Sequence, residues 1–136
     1  MPRSAATLRW MSGVATIMIV EDHPPTLAAL VALLDATFPE CRFLAVESAE
    51  EALHLCAGAA PHVVIMDIAL RGMSGIEATH RIKAAWPDTR VVVHSSHDMR
   101  VYRDGAAAAG ASAFVRKGKA ASELVPVVAG LLAAGP

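Results

Sequence analysis

The sequence has few of the residues that mark several common kinds of site or location. It has two cysteines in 136 residues. Cys41 and Cys56 show neither zinc-ligand nor Cys-x-x-Cys spacing, so a zinc site or a dithiol redox centre is not expected. Cys56 falls among apolar helix positions and is predicted to fill the core. No stretch approaches the ~20 apolar residues of a membrane span, and residues 1–13 lack the apolar run of a signal peptide. A cytoplasmic location is therefore expected.

Charge is also scarce and nearly balanced. Charged residues make up 18% of the chain, hydrophobic residues make up 54%, and the formal net charge is −1. The basic run Arg116-Lys117-Gly118-Lys119 is interpreted as a solvated loop, so neither nucleic acid nor a membrane surface is an expected partner of this chain alone. The length suits one domain. We expect it to cover 14–134, after a loosely ordered N-terminal extension over 1–13.

Short apolar runs recur along the chain and predict its strands. They are rich in β-branched residues, as strands buried on both faces require. Four of the runs are clear, and a weaker one lies between the first two. The predicted strands cover 17–20, 43–46, 63–66, 91–93 and 114–115.

The segments between these runs have helical periodicity. Apolar residues recur at the spacing of one helix face in three of them. These residues are Leu27, Leu30, Val31, Leu34 and Phe38 in the first helix, Ala49, Ala52, Leu53 and Cys56 in the second, and Leu124, Val127, Val128 and Leu131 in the last.

Capping signals predict where several helices begin and end. The segments 48–51 and 74–77 each begin with Ser and end with Glu, which matches the capping box. Asp98 is the predicted cap of a fourth helix that stops near Gly110. Pro126 is placed in or just after the first turn of the last helix, where a missing amide does least damage.

Strand and helix thus alternate five times along the chain. This order predicts an α/β fold with a five-stranded parallel sheet, doubly wound as (βα)5, with right-handed crossovers and helices on both faces. Ligands of such sheets bind beyond the carboxyl ends of the strands. The residues at those ends are therefore the candidates for function.

Four of the five predicted strands are followed by a polar or charged residue. The first ends in Glu21-Asp22, the third in Asp67, the fourth in Ser95 and the fifth in Lys117. Three close carboxylates would repel one another unless a cation compensated, and a hard divalent ion such as Mg²⁺ suits their oxygens. A lysine and a hydroxyl beside them could bind phosphoryl oxygens, and a carboxylate can act as the nucleophile.

The same segments resemble the signature regions of response-regulator receiver domains of two-component signalling. They are IVEDHPP (19–25), VVIMDIALRGMSGIE (63–77), VVVHSSHD (91–98) and GASAFVRKG (110–118). The resemblance covers about 14–132, implies the flavodoxin-like receiver fold, and is strongest to receivers that precede LuxR-type helix-turn-helix domains.

The resemblance implies a role for each residue of the acidic set. Asp67 would be the phospho-acceptor. Asp22 would ligate Mg²⁺ directly, Glu21 would act mainly through water, and the backbone carbonyl of Ala69 would supply a further ligand.

The remaining roles concern the phosphoryl group and the switch. Lys117 would pair with Asp67 and then with the phosphoryl group, and Ser95 would bind a phosphoryl oxygen and move toward it. Phe114 occupies the aromatic switch position and would turn inward. His97 could tune the attack of water, as could the side chain at Ala69.

The loop after Asp67 and the histidines differ from the acidic set in what they imply. Arg71-Gly72 stands where family members usually have a proline, which we expect to leave the loop freer and to add a cation near the site. His23 is expected to face solvent. The remaining histidines show no zinc-like pairing and are interpreted as structural, namely His54, His62, His80 and His94.

The expected function is a phosphorylation switch supplied by a histidine kinase or phosphotransfer protein. It would need Mg²⁺, catalyse only its own phosphoryl transfer and dephosphorylation, and turn over no separate substrate. Output would pass to a downstream protein through the fourth helix, fifth strand and fifth helix, and a phosphorylation-dependent homodimer is an option.

Three alternative functions compete with the phosphorylation switch. The chain could be the receiver fragment of a DNA-binding transcriptional regulator, although a stand-alone receiver is favoured. It could be a phosphate-independent adaptor, against which the full acidic set argues. A nucleotide- or flavin-binding enzyme would need a glycine-rich loop after the first strand, where this chain has Glu-Asp-His-Pro-Pro.

Overall fold

A computed structural model describes residues 14–134, and the predicted extension over 1–13 lies outside them. Strand and helix alternate along this part of the chain, and the predicted strands are confirmed to within a few residues at each end. In order, the elements are β1 (Thr16–Val20), α1 (Pro24–Thr37), β2 (Arg42–Val46), α2 (Ala49–Gly58), β3 (Val63–Met66), α3 (Gly75–Ala85), β4 (Arg90–Ser95), α4 (Arg100–Ala108), β5 (Ala113–Arg116), a π-helical turn (Ala120–Leu124) and α5 (Val125–Ala134).

All strand pairs are parallel, and the sheet order is β2-β1-β3-β4-β5. The predicted doubly wound (βα)5 sheet is therefore confirmed. After β2 the chain crosses back over β1 to form β3, so the direction of winding reverses between β1 and β3. Sheets of this kind open a crevice at that switch point, beyond the carboxyl ends of the two strands.

The two faces of the sheet bury two separate apolar layers. Ile17 and Ile19 of β1 belong to the layer beneath α1 and α5. Met18 and Val20 belong to the layer beneath α2 and α3. Successive side chains of a strand point to opposite faces, so a continuous apolar run fills both layers. This explains why the central strands lack polar alternation.

Two predicted helix starts are formed by serine caps. The Ser48 hydroxyl accepts from the Glu51 amide at 3.1 Å, and the Ser74 hydroxyl accepts from the Glu77 amide at 3.2 Å. The predicted Asp98 cap of α4 is wrong, because Met99 occupies the cap position without a side-chain bond. The carboxylate of Asp98 forms ion pairs with two arginines instead, and charge-assisted contacts are stronger than a bond to a neutral amide.

The last helix begins with an irregular turn that shifts its buried face. Pro126 is its second residue, as predicted. The buried positions are Leu124, Val128 and Leu132, whereas Leu131 is only partly buried. The preceding π-helical turn has wider i→i+5 bonding, which changes the register of the apolar stripe relative to an ideal helix.

Two remaining expectations can be compared with the fold. Cys56 is 1% exposed, and burial raises the pKa of its thiol to about 11, consistent with a core residue. Gly110 adopts a positive φ of 102° directly after the last turn of α4, where the helix was predicted to stop.

In the part of the chain from 14 to 134, none of the helices combines the length and apolar character needed to cross a bilayer.

Candidate functional site

Three carboxylates lie together in the crevice between β1 and β3. Glu21 and Asp22 follow β1, and Asp67 follows β3. The Glu21 amide donates to the Val46 carbonyl at 3.0 Å, and the Asp67 amide donates to the Val20 carbonyl at 3.1 Å. One oxygen from each of the three carboxylates lies within 4.8 Å of the other two. Backbone bonds that continue the sheet therefore bring the acidic set together.

Lys117 reaches the same crevice from the end of β5. Its ammonium lies 2.6 Å from Glu21 Oε1 and 3.1 Å from Asp67 Oδ2. Burial disfavours the charged ammonium, but hydrogen bonds to Glu21 and Asp67 and their negative charges outweigh it, so the pKa of Lys117 is raised above 10.5. Glu21 and Asp67 are 2% and 4% exposed. Lys117 therefore stays charged, and its positive charge stabilises two buried carboxylates that water hardly reaches.

The donor set in the crevice fits a small, hard cation. All three acidic side chains offer oxygens, and the backbone carbonyl of Ala69 lies two residues beyond Asp67. Asp67 Oδ1 accepts from the Ala69 amide at 3.3 Å, so the loop after β3 folds back toward the carboxylate. Mg²⁺ takes one or two carboxylates and keeps several waters. The residues present fit that ion, with Lys117 offsetting part of their charge.

The loop between β3 and α3 is held by two carboxylates. The Arg71 amide donates to Asp22 Oδ2 at 2.9 Å, and the Met73 amide donates to Glu50 Oε2 at 3.2 Å. Gly72 lies between them with a φ of +79°, a conformation that favours glycine. The two carboxylates thus hold the loop on either side of Gly72, and the predicted cation lies near the site, with Arg71 Nε 3.6 Å from Asp22 Oδ2. Glu50 was not among the predicted site residues, because residue type alone does not pair it with a loop 23 positions away.

Ser95 ends β4, the strand next to β3 in the sheet, and His97 follows it two residues later. Ser95 is fully buried, whereas Ser96 is exposed, so of the two hydroxyls only that of Ser95 is enclosed by the fold. The Ser95 hydroxyl accepts from the His97 amide at 3.0 Å, and the Lys117 amide donates to the Ser95 carbonyl at 2.9 Å. The exposed His97 ring packs 5.3 Å from the ring of Tyr102. A backbone hydrogen bond thus joins the carboxyl ends of β4 and β5.

Phe114 is partly buried on β5 and packs against a small apolar cluster formed by Ile68, Val93 and Ala106. The guanidinium carbon of Arg103 lies over the ring, 4.6 Å from the ring centroid. Arg103 was not among the predicted site residues, because nothing in its local sequence distinguishes it from an ordinary exposed helix residue. Phe114 therefore contacts both an apolar cluster and a cation.

His94 is buried on β4 and points to the face of the sheet opposite to that of its neighbour Val93, which packs against Phe114. It is 3% exposed, and its Nε2 atom has no hydrogen-bond partner among residues 14–134. Together with Lys117 and residues of α1 such as Pro25 and Leu33, it lines a cavity of about 440 Å³. Burial and the nearby Lys117 charge lower the pKa of His94 to about 4, against the opposing effect of Asp67. The ring is therefore neutral at physiological pH.

The other histidines lie elsewhere. The His62 ring accepts from the Thr16 amide at 3.0 Å, which ties the start of β1 to the segment before β3. His23, His54 and His80 are exposed, and between residues 14 and 134 no histidine joins a group of potential metal ligands.

Comparison with known sequences finds a family match over most of the chain. The family model described as the response regulator receiver domain matches residues 17–129. The chain is 30% identical over 113 residues to the transcriptional regulatory protein MctR of Rhizobium johnstonii, covering 82% of this chain and 52% of that protein. It is 33% identical over 117 residues to the transcriptional activator protein ExaE of Pseudomonas putida, covering 86% and 55%. The chain thus spans about half the length of the curated relatives it matches.

Solved structures give the same result. A two-component response regulator of the LuxR family from Aurantimonas sp. superposes with a TM-score of 0.81 at 32% identity, covering 90% of this chain and 87% of that one. The response regulator protein TrrA from Thermotoga maritima, solved in complex with Mg²⁺ and BeF, superposes with a TM-score of 0.77 at 26% identity, covering 86% and 98%.

Proposed function

This chain belongs to the response-regulator receiver family of two-component signalling, and on that premise we propose that it is a switch phosphorylated on Asp67. The observation that carries the proposal is the contact of Lys117 with both Asp67 and Glu21 in a crevice that also holds Asp22. A buried carboxylate with a cation and two further carboxylates beside it suits phosphoryl transfer, which depends on positioning and charge stabilisation.

In the proposed reaction a carboxylate oxygen of Asp67 attacks the phosphorus of a phosphohistidine on a histidine kinase or phosphotransfer protein. The new P–O bond forms as the P–N bond breaks, and the donor imidazole leaves with its electron pair and takes a proton. Lys117, already at hydrogen-bond distance from Asp67, would remain beside the acyl phosphate and bind one of its oxygens.

Glu21, Asp22, Asp67 and the carbonyl of Ala69 would hold Mg²⁺, which when bound neutralises charge on the incoming phosphoryl group. Ser95 would bind another phosphoryl oxygen. The Ser95 hydroxyl accepts from the His97 amide, and it would donate its own hydrogen to the phosphoryl oxygen. Phe114 would turn inward as Ser95 moves, and His97 and the side chain at Ala69 would tune the attack of water on the acyl phosphate.

The output surface is proposed to be α4, β5 and α5, with a downstream protein or a second copy of this chain as the partner. A cytoplasmic location follows from the need for a cytoplasmic kinase domain or phosphotransfer protein as the donor. The proposed switch turns over no separate substrate.

A receiver within a DNA-binding regulator is the second candidate. Its support is that the matched relatives are named as transcriptional regulators and are about twice the length that this chain spans. The chemistry of the site is the same in both cases.

Intact-mass measurement tests the acceptor. Incubation of the protein with acetyl phosphate and MgCl2 should add about 80 Da, the mass of one phosphoryl group, and EDTA should prevent it. Asp67→Asn should abolish the adduct, whereas Asp88→Asn, at an exposed aspartate after α3, should leave it intact. An adduct that persists in Asp67→Asn would rule out this acceptor. Absence of any adduct in the unmodified protein would favour the phosphate-independent adaptor.

A further inference from the structure

The carboxylate of Asp22 has two contacts from one residue of the β3–α3 loop. Asp22 Oδ2 accepts from the Arg71 amide at 2.9 Å and lies 3.6 Å from Arg71 Nε. Asp22 is also the proposed direct ligand of Mg²⁺. The proposed metal ligand Asp22 is therefore already paired with a positive charge of the protein, that of Arg71.

The two contacts of Arg71 have different physical consequences. The amide is neutral, so it orients the Asp22 carboxylate without opposing a metal ion, as outer-shell donors do. A proline at this position would have no such donor. The guanidinium is positively charged, and its side chain is 89% exposed. Its effect is electrostatic, modest and sensitive to salt.

We infer that the Arg71 guanidinium competes with Mg²⁺ for Asp22 and lowers the affinity of the site for the ion. A divalent cation on the carboxylate would repel the guanidinium beside it, so each weakens the hold of the other. Arg71 is a positioning residue in this scheme, since it acts through Asp22. The inference rests on the Mg²⁺ site proposed above.

The structure also indicates what holds the loop when the guanidinium leaves. Glu50 accepts from the Met73 amide on the other side of Gly72 and lies outside the acidic set. The Arg71 side chain can therefore separate from Asp22 while the loop remains attached to α2. Mg²⁺ binding would free the side chain of Arg71 at the rim of the crevice without melting the loop.

Calorimetric titration with MgCl2 tests the competition. The variants are Arg71→Gln, which keeps the amide but removes the charge, and Arg71→Lys, which keeps the charge. Arg100→Gln is the matched control, because Arg100 Nε also lies 3.6 Å from a carboxylate, that of Asp104, and its side chain is 93% exposed. Each protein is titrated at low and high KCl, since screening separates charge effects from structural ones.

Arg71→Gln should bind Mg²⁺ roughly threefold more tightly than the unmodified protein at low salt, the size expected for an exposed ion pair. The difference should vanish at high salt. Arg71→Lys and Arg100→Gln should retain the original affinity. In the unmodified protein, the NMR signal of the Arg71 side-chain Nε–H should shift when MgCl2 is added.

Unchanged or weaker Mg²⁺ binding by Arg71→Gln at low salt would overturn the competition while leaving the metal site in place. An equal gain in Arg100→Gln would also overturn it, because the effect would then follow from net charge. No saturable Mg²⁺ binding by the unmodified protein would overturn both this inference and the proposed cofactor.

Discussion

The guanidinium of Arg103 covers the ring of Phe114, with the guanidinium carbon 4.6 Å from the ring centroid. The same group donates to Asp98 through Nε at 2.6 Å. Asp98 lies 3.7 Å from Arg116, whose guanidinium lies 3.9 Å from Glu123. The cation over Phe114 is thus held by a chain of ion pairs that joins the segment after β4 to the π-helical turn. If Phe114 turned inward, its ring would lose the contact with the Arg103 guanidinium.

Replacing Arg103 with Gln should therefore make activation easier. A cation–π contact at an exposed site is worth about 0.5–1 kcal/mol, so the affinity for beryllofluoride in the presence of Mg²⁺ should rise roughly threefold. Fluorine NMR titration measures it. Arg100→Gln on the same helix is the control, and an affinity in Arg103→Gln that is equal to or below that of the unmodified protein would show that the cover does not oppose the switch.

Gly75 is where the first turn of α3 passes closest to the site. A Cβ atom added there would lie 1.9 Å from the Asp67 carbonyl oxygen and 2.9 Å from Ile68 Cα. Both neighbours are backbone atoms and cannot rotate away. Gly75→Ala should lower the free energy of unfolding by more than about 2 kcal/mol and slow the formation of the Asp67 adduct. Urea unfolding and intact mass measure the two effects.

Gly130 provides the contrasting case for that experiment. It lies within α5, and apart from its own helix no group of the described residues comes within 4 Å of an added Cβ. Gly130→Ala should raise the free energy of unfolding by about 0.5–1 kcal/mol, because alanine favours the helix. If both substitutions had the same effect, the close approach at Gly75 would not be the cause.

His94 should make the fold sensitive to acid. Its pKa is lowered from 6.5 to about 4 in the fold, so the unfolded chain binds the proton more readily between those values. Stability from this residue is therefore fully present above pH 6.5 and declines as the pH falls toward 4. Between pH 7 and pH 5 the loss should be about 2 kcal/mol in the free energy of unfolding.

Urea unfolding of His94→Val at the two pH values isolates that contribution. The variant should lose less stability than the unmodified protein on going from pH 7 to pH 5. His80→Gln, at an exposed position on α3, should behave like the unmodified protein. An identical pH dependence in His94→Val would assign the acid sensitivity to other groups.

The start of α4 exposes two large apolar side chains. Met99 and Val101 are each 66% exposed, on the face proposed for output. If the activated form pairs with a second copy through this face, beryllofluoride with Mg²⁺ should raise the sedimentation coefficient, and Val101→Glu should prevent the rise. Val14→Glu, at a residue 37% exposed before β1, is the control. A dimer that survives Val101→Glu would place the interface elsewhere.

Much of the fold could be predicted from local pattern. Each predicted strand is a short apolar run because both faces of a parallel sheet are covered, and each run was found as a strand. The strand-end residues could be predicted to lie together for the same reason: parallel strands deliver their carboxyl ends to one edge. The sequence pattern alone made site candidates of Glu21, Asp22, Asp67 and Lys117. The structure brings all four into one crevice.

The contacts that surround this set depended on tertiary structure. Arg71 meets Asp22 across 49 positions, and Arg103 meets Phe114 from a different element. Asp98 matched a cap pattern, yet two arginines brought close by folding bind its carboxylate instead.

The physical reason is a difference in range. Apolar periodicity and strand ends are set by the backbone and the nearest residues, so the sequence by itself determined the sheet, its order of elements and the identity of the acidic set. The partner of a charged or aromatic side chain is set by whichever distant group the packed helices bring within a few ångströms. Only the tertiary structure therefore decided the covering of Phe114, the hold on the β3–α3 loop and the lowered pKa of His94.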